Sequence, residues 1–223
     1  SNLLKRFELH VSMARIRTIK VYVVGEVVRP GAYEISALAT TSNALYAACG
    51  PARSGSLRQV KVMREGKTVA ELDLYDFLLR GDRRFDQRLQ SGDVVLVPPL
   101  GPVVAVSGSI KRPAIYEVKP GVRLTELLTL AGGLTPLSDR QRCHLFRLDP
   151  ERGRIMVDVD LVGALASQGH EKSRPGVAGG DPVLLDGDYV RIGILPTQIT
   201  NVVRLVGAVK SPGPYEYRPG MKV

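Results

Sequence analysis

VVGEVVRPGAY, at Val23–Tyr33, decides the fold because the chain writes it three times. It returns as AVSGSIKRPAIY at Ala105–Tyr116 and as RLVGAVKSPGPY at Arg204–Tyr215. Gly25, Gly108 and Gly207 share one position of the repeat; Pro30, Pro113 and Pro212 share a second; Tyr33, Tyr116 and Tyr215 share a third. The apolar residues leading to the glycine read as a strand. The proline ends that strand, because it carries no amide donor and fixes φ. The residues up to the tyrosine then return as the second strand of a hairpin.

Working outward, an offset of 83 positions carries the opening of the first unit onto that of the second, and it grows to 95 by the last strand. LYAACG (Leu45–Gly50) falls on LTLAGG (Leu128–Gly133), and VKVMR (Val60–Arg64) falls on CHLFR (Cys143–Arg147). ELDL (Glu71–Leu74) meets VDVDL (Val157–Leu161), and DQRLQSGDVV (Asp86–Val95) meets DPVLLDGDYV (Asp181–Val190). The second unit is longer, chiefly through GHEKSRPGVAGGDP (Gly169–Pro182), whose composition predicts a mobile loop. After the hairpin each unit predicts a helix. Leu124, Leu127, Leu128 and Ala131 stand at helical spacing, with a start near Thr125 and a stop at Gly132-Gly133. In the first unit Ser42 or Asn43 is the expected cap, and Gly50-Pro51 the end. Two strands follow, at Gln59–Arg64 and Val69–Leu74, and an SGD or DGD turn launches the last one.

The order ββ-α-ββ-β describes an α+β unit of the β-grasp type, a small mixed sheet covered by one helix. The predicted organisation is a lead-in strand from a preceding domain (residues 1–20), two complete units (21–102 and 103–200), and the start of a third (201–223). Phe7, Leu9, Val11 and Met13 alternate with Glu8, His10, Ser12 and Ala14, as a strand requires. Ser1-Asn2 reads as a cloning remnant. The third unit stops where its helix should begin, so the chain is expected to continue in its parent protein.

The 223 residues carry a net charge of +9, and 24% of them are charged. No apolar run reaches the ~18–20 residues of a membrane helix. The positive charge is spread along the chain without a basic tail, so it fits an anionic polymer or surface as well as plain solubility. The two cysteines, Cys49 and Cys143, fall in different units and predict separate, mostly buried thiols; without a CxxC no zinc site is expected.

Candidate chemistry is sparse. EGKTV (Glu65–Val69) contains GKT, but Lys61 stands where a phosphate loop needs glycine, and strands flank it; a hairpin turn is predicted. His10, His144 and His170 share no ligand spacing. Asp158 and Asp160, two apart on a predicted strand, share one face, as do Glu71 and Asp73; a repeated pair of this kind is expected to be architectural. Asp93 and Asp188 are expected to bond their own turns. No cofactor, metal or catalytic residue is predicted. The candidate ligand-binding residues are the turn cations Arg29, Lys111, Arg112 and Lys210, which could meet an anionic ligand, and Tyr33, Tyr116 and Tyr215, which could stack on a sugar. For each, a solvated turn or a strand tyrosine filling the core edge is the simpler alternative.

The pattern V-x-G-x-V-x-x-P-G-x-Y, a helix ending in AGG, and L-x-x-GD-x-V resemble the soluble-ligand-binding β-grasp (SLBB) domain. Tandem copies resemble bacterial polysaccharide biosynthesis and export proteins, and LDLYDFLLRGD (Leu72–Asp82) is similar to their long members. The resemblance covers about residues 21–223. It departs at Ala114, where the motif has glycine, and at Ala48-Cys49-Gly50, near the AGG position. It implies a non-catalytic part of a capsule or exopolysaccharide exporter, in the periplasm or at the outer membrane. It further implies a homo-oligomeric ring, an inner-membrane export partner and contact with a polysaccharide, acidic in view of the charge. The runner-up is a DNA-binding β-grasp receptor of a nucleic-acid uptake system. It would need a helix-hairpin-helix that this chain lacks, so no nucleic-acid partner is expected. A respiratory-complex subunit would need iron–sulfur cysteines beyond the two present.

Overall fold

The computed structural model describes residues 17–166, 180–196 and 199–220. The expected lead-in strand, His10, His170 and most of the 169–182 loop lie outside the described residues. The first repeat builds β1 (Thr18–Gly25), β2 (Gly31–Ser36), α1 (Thr41–Ala47), β3 (Val60–Arg64), β4 (Lys67–Leu72), α2 (Leu74–Arg80) and β5 (Val94–Val97). The second builds β6 (Val103–Gly108), β7 (Ala114–Glu117), α3 (Leu124–Leu130), β8 (Ser138–Asp149), β9 (Gly153–Val159), α4 (Leu161–Ala166) and β10 (Tyr189–Ile194). The sheet orders, β2-β1-β5-β3-β4 and β7-β6-β10-β8-β9, match position by position. In each, the first and last strands run parallel and the other pairs antiparallel. The fold is therefore α+β, with tandem β-grasp units on small mixed sheets. Of the third repeat, β11 (Val202–Leu205) and β12 (Gly213–Glu216) form the same opening hairpin.

Period-two alternation sets the cores. Val21 and Val23, Val60 and Val62, and Val95 and Val97 face inward, where Ala44 and Leu45 of α1 and its C-cap Ala48 cover them. Val104, Val106, Leu145, Val190 and Ile192 do the same beneath Leu124, Leu127 and Leu128 of α3 and its C-cap Ala131. Each sheet thus has one covered face and one open face.

Each unit holds a second short helix where ββ-α-ββ-β has none. Asp73 ends β4 and caps α2, its carboxylate accepting from Tyr75 N–H at 3.0 Å, and Gly81 at φ 69° stops the helix. Asp160 plays the same part for α4, accepting from Val162 N–H at 3.0 Å. This corrects the reading of Asp158 and Asp160 as two residues of one strand: β9 ends at Val159, and only Asp158 belongs to it. Asp158 meets His144 Nδ1 across the strands at 2.8 Å. The cap of α1 is Thr40 rather than Ser42 or Asn43; Asn43 accepts from Thr40 N–H at 3.0 Å. A distant carboxylate completes this end, as Asp86 takes Ser42 N–H at 2.9 Å and Ser42 Oγ–H at 2.7 Å. Asp181 does the same for α3, accepting from Thr125 N–H at 3.0 Å. Cys49 is exposed, at φ 63° beyond the end of α1, contrary to the expected burial. Burial pushes the Cys143 thiol up to about 12, so it stays protonated. Glu65 and Gly66, at φ 50° and 75°, turn β3 into β4, so EGKTV is a hairpin.

Both GD-turn aspartates do more than close their turns. Asp93 is fully buried, accepts from Gln90 N–H at 2.7 Å, and takes both forks of Arg64 at 2.8 Å. Asp188 repeats this with Leu185 N–H at 2.8 Å and Arg147 at 3.0 and 2.6 Å. Burial alone would raise the Asp93 pKa, but Arg64 and the Gln90 amide outweigh it and hold the carboxyl below its usual range. A depressed carboxylate pKa stabilises the fold at pH values above the unfolded pKa of about 4, and this contribution fades as pH falls through the folded value. Arg64→Met strands the buried charge, and the expected cost is about 3 kcal/mol, the low end for a broken buried pair because Arg64 keeps some exposure. Urea unfolding of the variant at neutral pH measures it, and the gap from wild type should narrow below about pH 4; a constant gap would exclude the ion pair as its source.

Candidate functional site

The hairpin tip explains its own sequence. In the first unit Val28 N–H donates to Gly50 O at 3.0 Å and Arg29 N–H to Ala48 O at 3.1 Å; in the second Lys111 N–H reaches Gly133 O at 3.1 Å and Arg112 N–H reaches Ala131 O at 3.0 Å. The tip thus satisfies carbonyls left open at the end of the covering helix. Proline follows, where no further donor is used. The tyrosine then closes the tip: Tyr33 donates its hydroxyl to Arg29 O at 2.6 Å, Tyr116 to Arg112 O at 2.7 Å and Tyr215 to Ser211 O at 2.7 Å. In every unit the acceptor is the residue just before the proline.

Arg29, Lys111, Arg112 and Lys210 are all exposed at the hairpin tips, with Lys111 and Arg112 together on the second. Arg112 also donates from Nη2 to Leu130 O at 3.1 Å, adding a cation to the negative end of α3. Tyr116 is buried, with the Tyr75 ring of the first unit 6.3 Å from its own; Tyr33 is half-buried, and Tyr215, on a two-stranded hairpin, is exposed.

The densest polar cluster lies between the repeats, on residues that sequence reasoning passed over. Glu117, 3% exposed at the end of β7, accepts from Ser56 Oγ–H and Leu57 N–H, both at 2.7 Å, and from Gly101 N–H at 2.9 Å. Its own N–H donates to Tyr75 of α2 at 3.0 Å, and its carbonyl accepts from Arg58 Nε at 2.7 Å. The Arg58 guanidinium lies 4.3 Å from the Tyr75 ring centroid and 3.0 Å from Asp73, which Lys119 of the second unit also reaches at 3.0 Å. The Tyr75 ring packs against the second unit's core. A cavity of about 500 Å³ borders this junction, lined by Asp73, Asp76, Phe85, Pro102 and Lys119 among others. The available signal was the Glu that follows Tyr in all three repeats, at positions 34, 117 and 216.

This geometry joins the two units. Among the described residues no cluster of three or more His, Cys, Asp or Glu side chains could hold a metal ion. One SLBB domain model matches residues 19–97, and a second SLBB domain model matches 103–159 and 202–223. The chain belongs to the SLBB domain family. Two curated relatives, each a Polysialic acid transport protein KpsD of Escherichia coli, are 31% identical to it over 126 residues. That alignment covers 55% of this SLBB chain and 22% of the relatives' length. The chain thus spans about a fifth of the length of the curated relatives it matches.

Proposed function

We propose that these SLBB repeats are a non-catalytic section of a capsule or exopolysaccharide exporter, acting in the periplasm and at the outer membrane, and that they touch the polysaccharide in transit. The observation that carries this reading is the buried junction at Glu117, which joins two copies of one unit as a scaffold. In the whole protein the same reading includes a homo-oligomeric ring and an inner-membrane export partner. Similarity to a polysialic acid transport protein supports an acidic polymer, and the net charge of +9 is of the matching sign. Contacts through the exposed cations Arg29, Lys111, Arg112 and Lys210 are worth about 0–1 kcal/mol each. Useful affinity therefore comes from repetition, which also lets a moving chain be released.

The test is titration of polysialic acid, a neutral polysaccharide and duplex DNA against the chain at low and high salt. Binding of polysialic acid over the neutral polymer is expected, weakening about tenfold as salt shortens the screening length. Equal binding of acidic and neutral polymers, or none, overturns the reading. Preference for DNA would favour a nucleic-acid uptake module instead.

A further inference from the structure

The open face of the second sheet carries a row that neither the fold nor the junction uses. Register places Ile115, Ala105, Tyr189, Phe146 and Met156 side by side across all five strands. At about 4.8 Å per strand the row is about 19 Å long. Ile115 is 69% exposed, Met156 57% and Tyr189 37%, with Leu148 beside them at 62%. The Tyr189 and Phe146 rings lie near-parallel, 24° apart in plane and 5.5 Å between centroids. The Tyr189 hydroxyl is held at 2.6 Å from Ser107 Oγ, so the ring is positioned rather than free to swing.

Cations bracket this row. The neighbouring row is Ser107, Arg191, His144 and Asp158. On the other side Arg154 stands opposite Leu148. Asp158 is engaged by His144 at 2.8 Å, while Arg154 and Arg191 are exposed and have no carboxylate partner among the described residues. An apolar, aromatic strip flanked by unpaired guanidinium groups complements a polymer of sugar rings bearing carboxylates. The C–H face of each sugar covers the rings, and its carboxylate reaches a planar fork of donors. A purely apolar partner would leave both arginines unpaired. The corresponding row of the first sheet, Ala32, Tyr22, Val94, Met63 and Thr68, holds one aromatic ring, over which Lys20 Nζ sits at 6.0 Å.

We infer that the open face of the β7-β6-β10-β8-β9 sheet is an acidic-glycan platform, with sugar rings on Tyr189, Phe146 and Ile115 and carboxylates on Arg154 and Arg191. This rests on the polysaccharide-contacting reading and assigns it a place. The experiment titrates wild-type chain with a polysialic acid oligomer while amide shifts are followed by NMR. Binding is then measured for Tyr189→Ala/Phe146→Ala and Arg154→Gln/Arg191→Gln variants whose melting matches wild type. Shifts confined to β6–β10 are expected, with an affinity loss of about tenfold or more for the aromatic pair. The arginine pair should lose the preference for acidic over neutral oligomer. Wild-type affinity in both variants, with glycan still bound, overturns the platform and leaves the proposed function standing. No binding by the wild type overturns both. Shifts on this face that depend on protein concentration and not on glycan overturn the platform in favour of a second copy.

Discussion

Gly25→Ala is expected to unfold the first sheet and Gly108→Ala the second, while Gly207→Ala leaves both intact. All three glycines hold positive φ, at 85°, 86° and 105°. Their surroundings differ. A methyl group on Gly25 would lie 2.1 Å from Val97 O, and one on Gly108 would lie 2.0 Å from Ile192 O. Those carbonyls belong to the parallel last strand, and each accepts from the amide after its glycine, Glu26 at 2.8 Å and Ser109 at 3.2 Å. Alanine must therefore push the central strand pair apart as well as adopt a left-handed backbone. The left-handed conformation costs about 1–2 kcal/mol, and the overlap raises the expected total above about 3 kcal/mol. Nothing lies within 4 Å of the Gly207 position, so only the backbone term applies there, in a two-stranded hairpin outside both cores. Chemical denaturation of the three variants decides it. Equal losses at all three positions would exclude the carbonyl approach as the reason for glycine.

Glu117→Ala is expected to uncouple the two units. The substitution leaves Ser56 Oγ–H and the Leu57 and Gly101 amides without their acceptor at a buried junction. Hydrogen bonds to a charged group contribute about 1.5–3 kcal/mol each and are not additive, so a loss of about 3–5 kcal/mol in coupling is expected. Calorimetry should show one unfolding transition split into two, and small-angle scattering should show a broader range of shapes. Glu117→Gln keeps an acceptor oxygen and should lie between. A single transition in the alanine variant, with unchanged scattering, would show that Tyr75 and the salt bridges of Asp73 hold the units together without the carboxylate.

Much of this architecture was legible because it repeats. The Gly-Pro-Tyr hairpin announced the first two strands of each unit, and the apolar spacing of Leu124, Leu127, Leu128 and Ala131 announced the covering helix. The helices α2 and α4 were hidden. Each follows directly on a strand whose end alternates apolar and acidic residues, so the period-two pattern runs on into the helix and no turn residue marks its start. Aligned Arg64 and Arg147 looked like ordinary strand ends until the fold set them against Asp93 and Asp188.

By itself the sequence determined the repeat, the strand–turn–strand openings and the residues that face each core, since these follow from local φ preference and period-two patterning. Only the tertiary structure decided what the repeated positions do. The glutamate after the repeat tyrosine is the same residue three times, yet Glu34 is exposed, Glu117 is buried and the Glu216 side chain is 57% exposed. The difference comes from Ser56 and Leu57, some sixty positions before Glu117, which pack against it and no other copy. Burial is a property of what folds over a residue, and local sequence pattern carries no record of it.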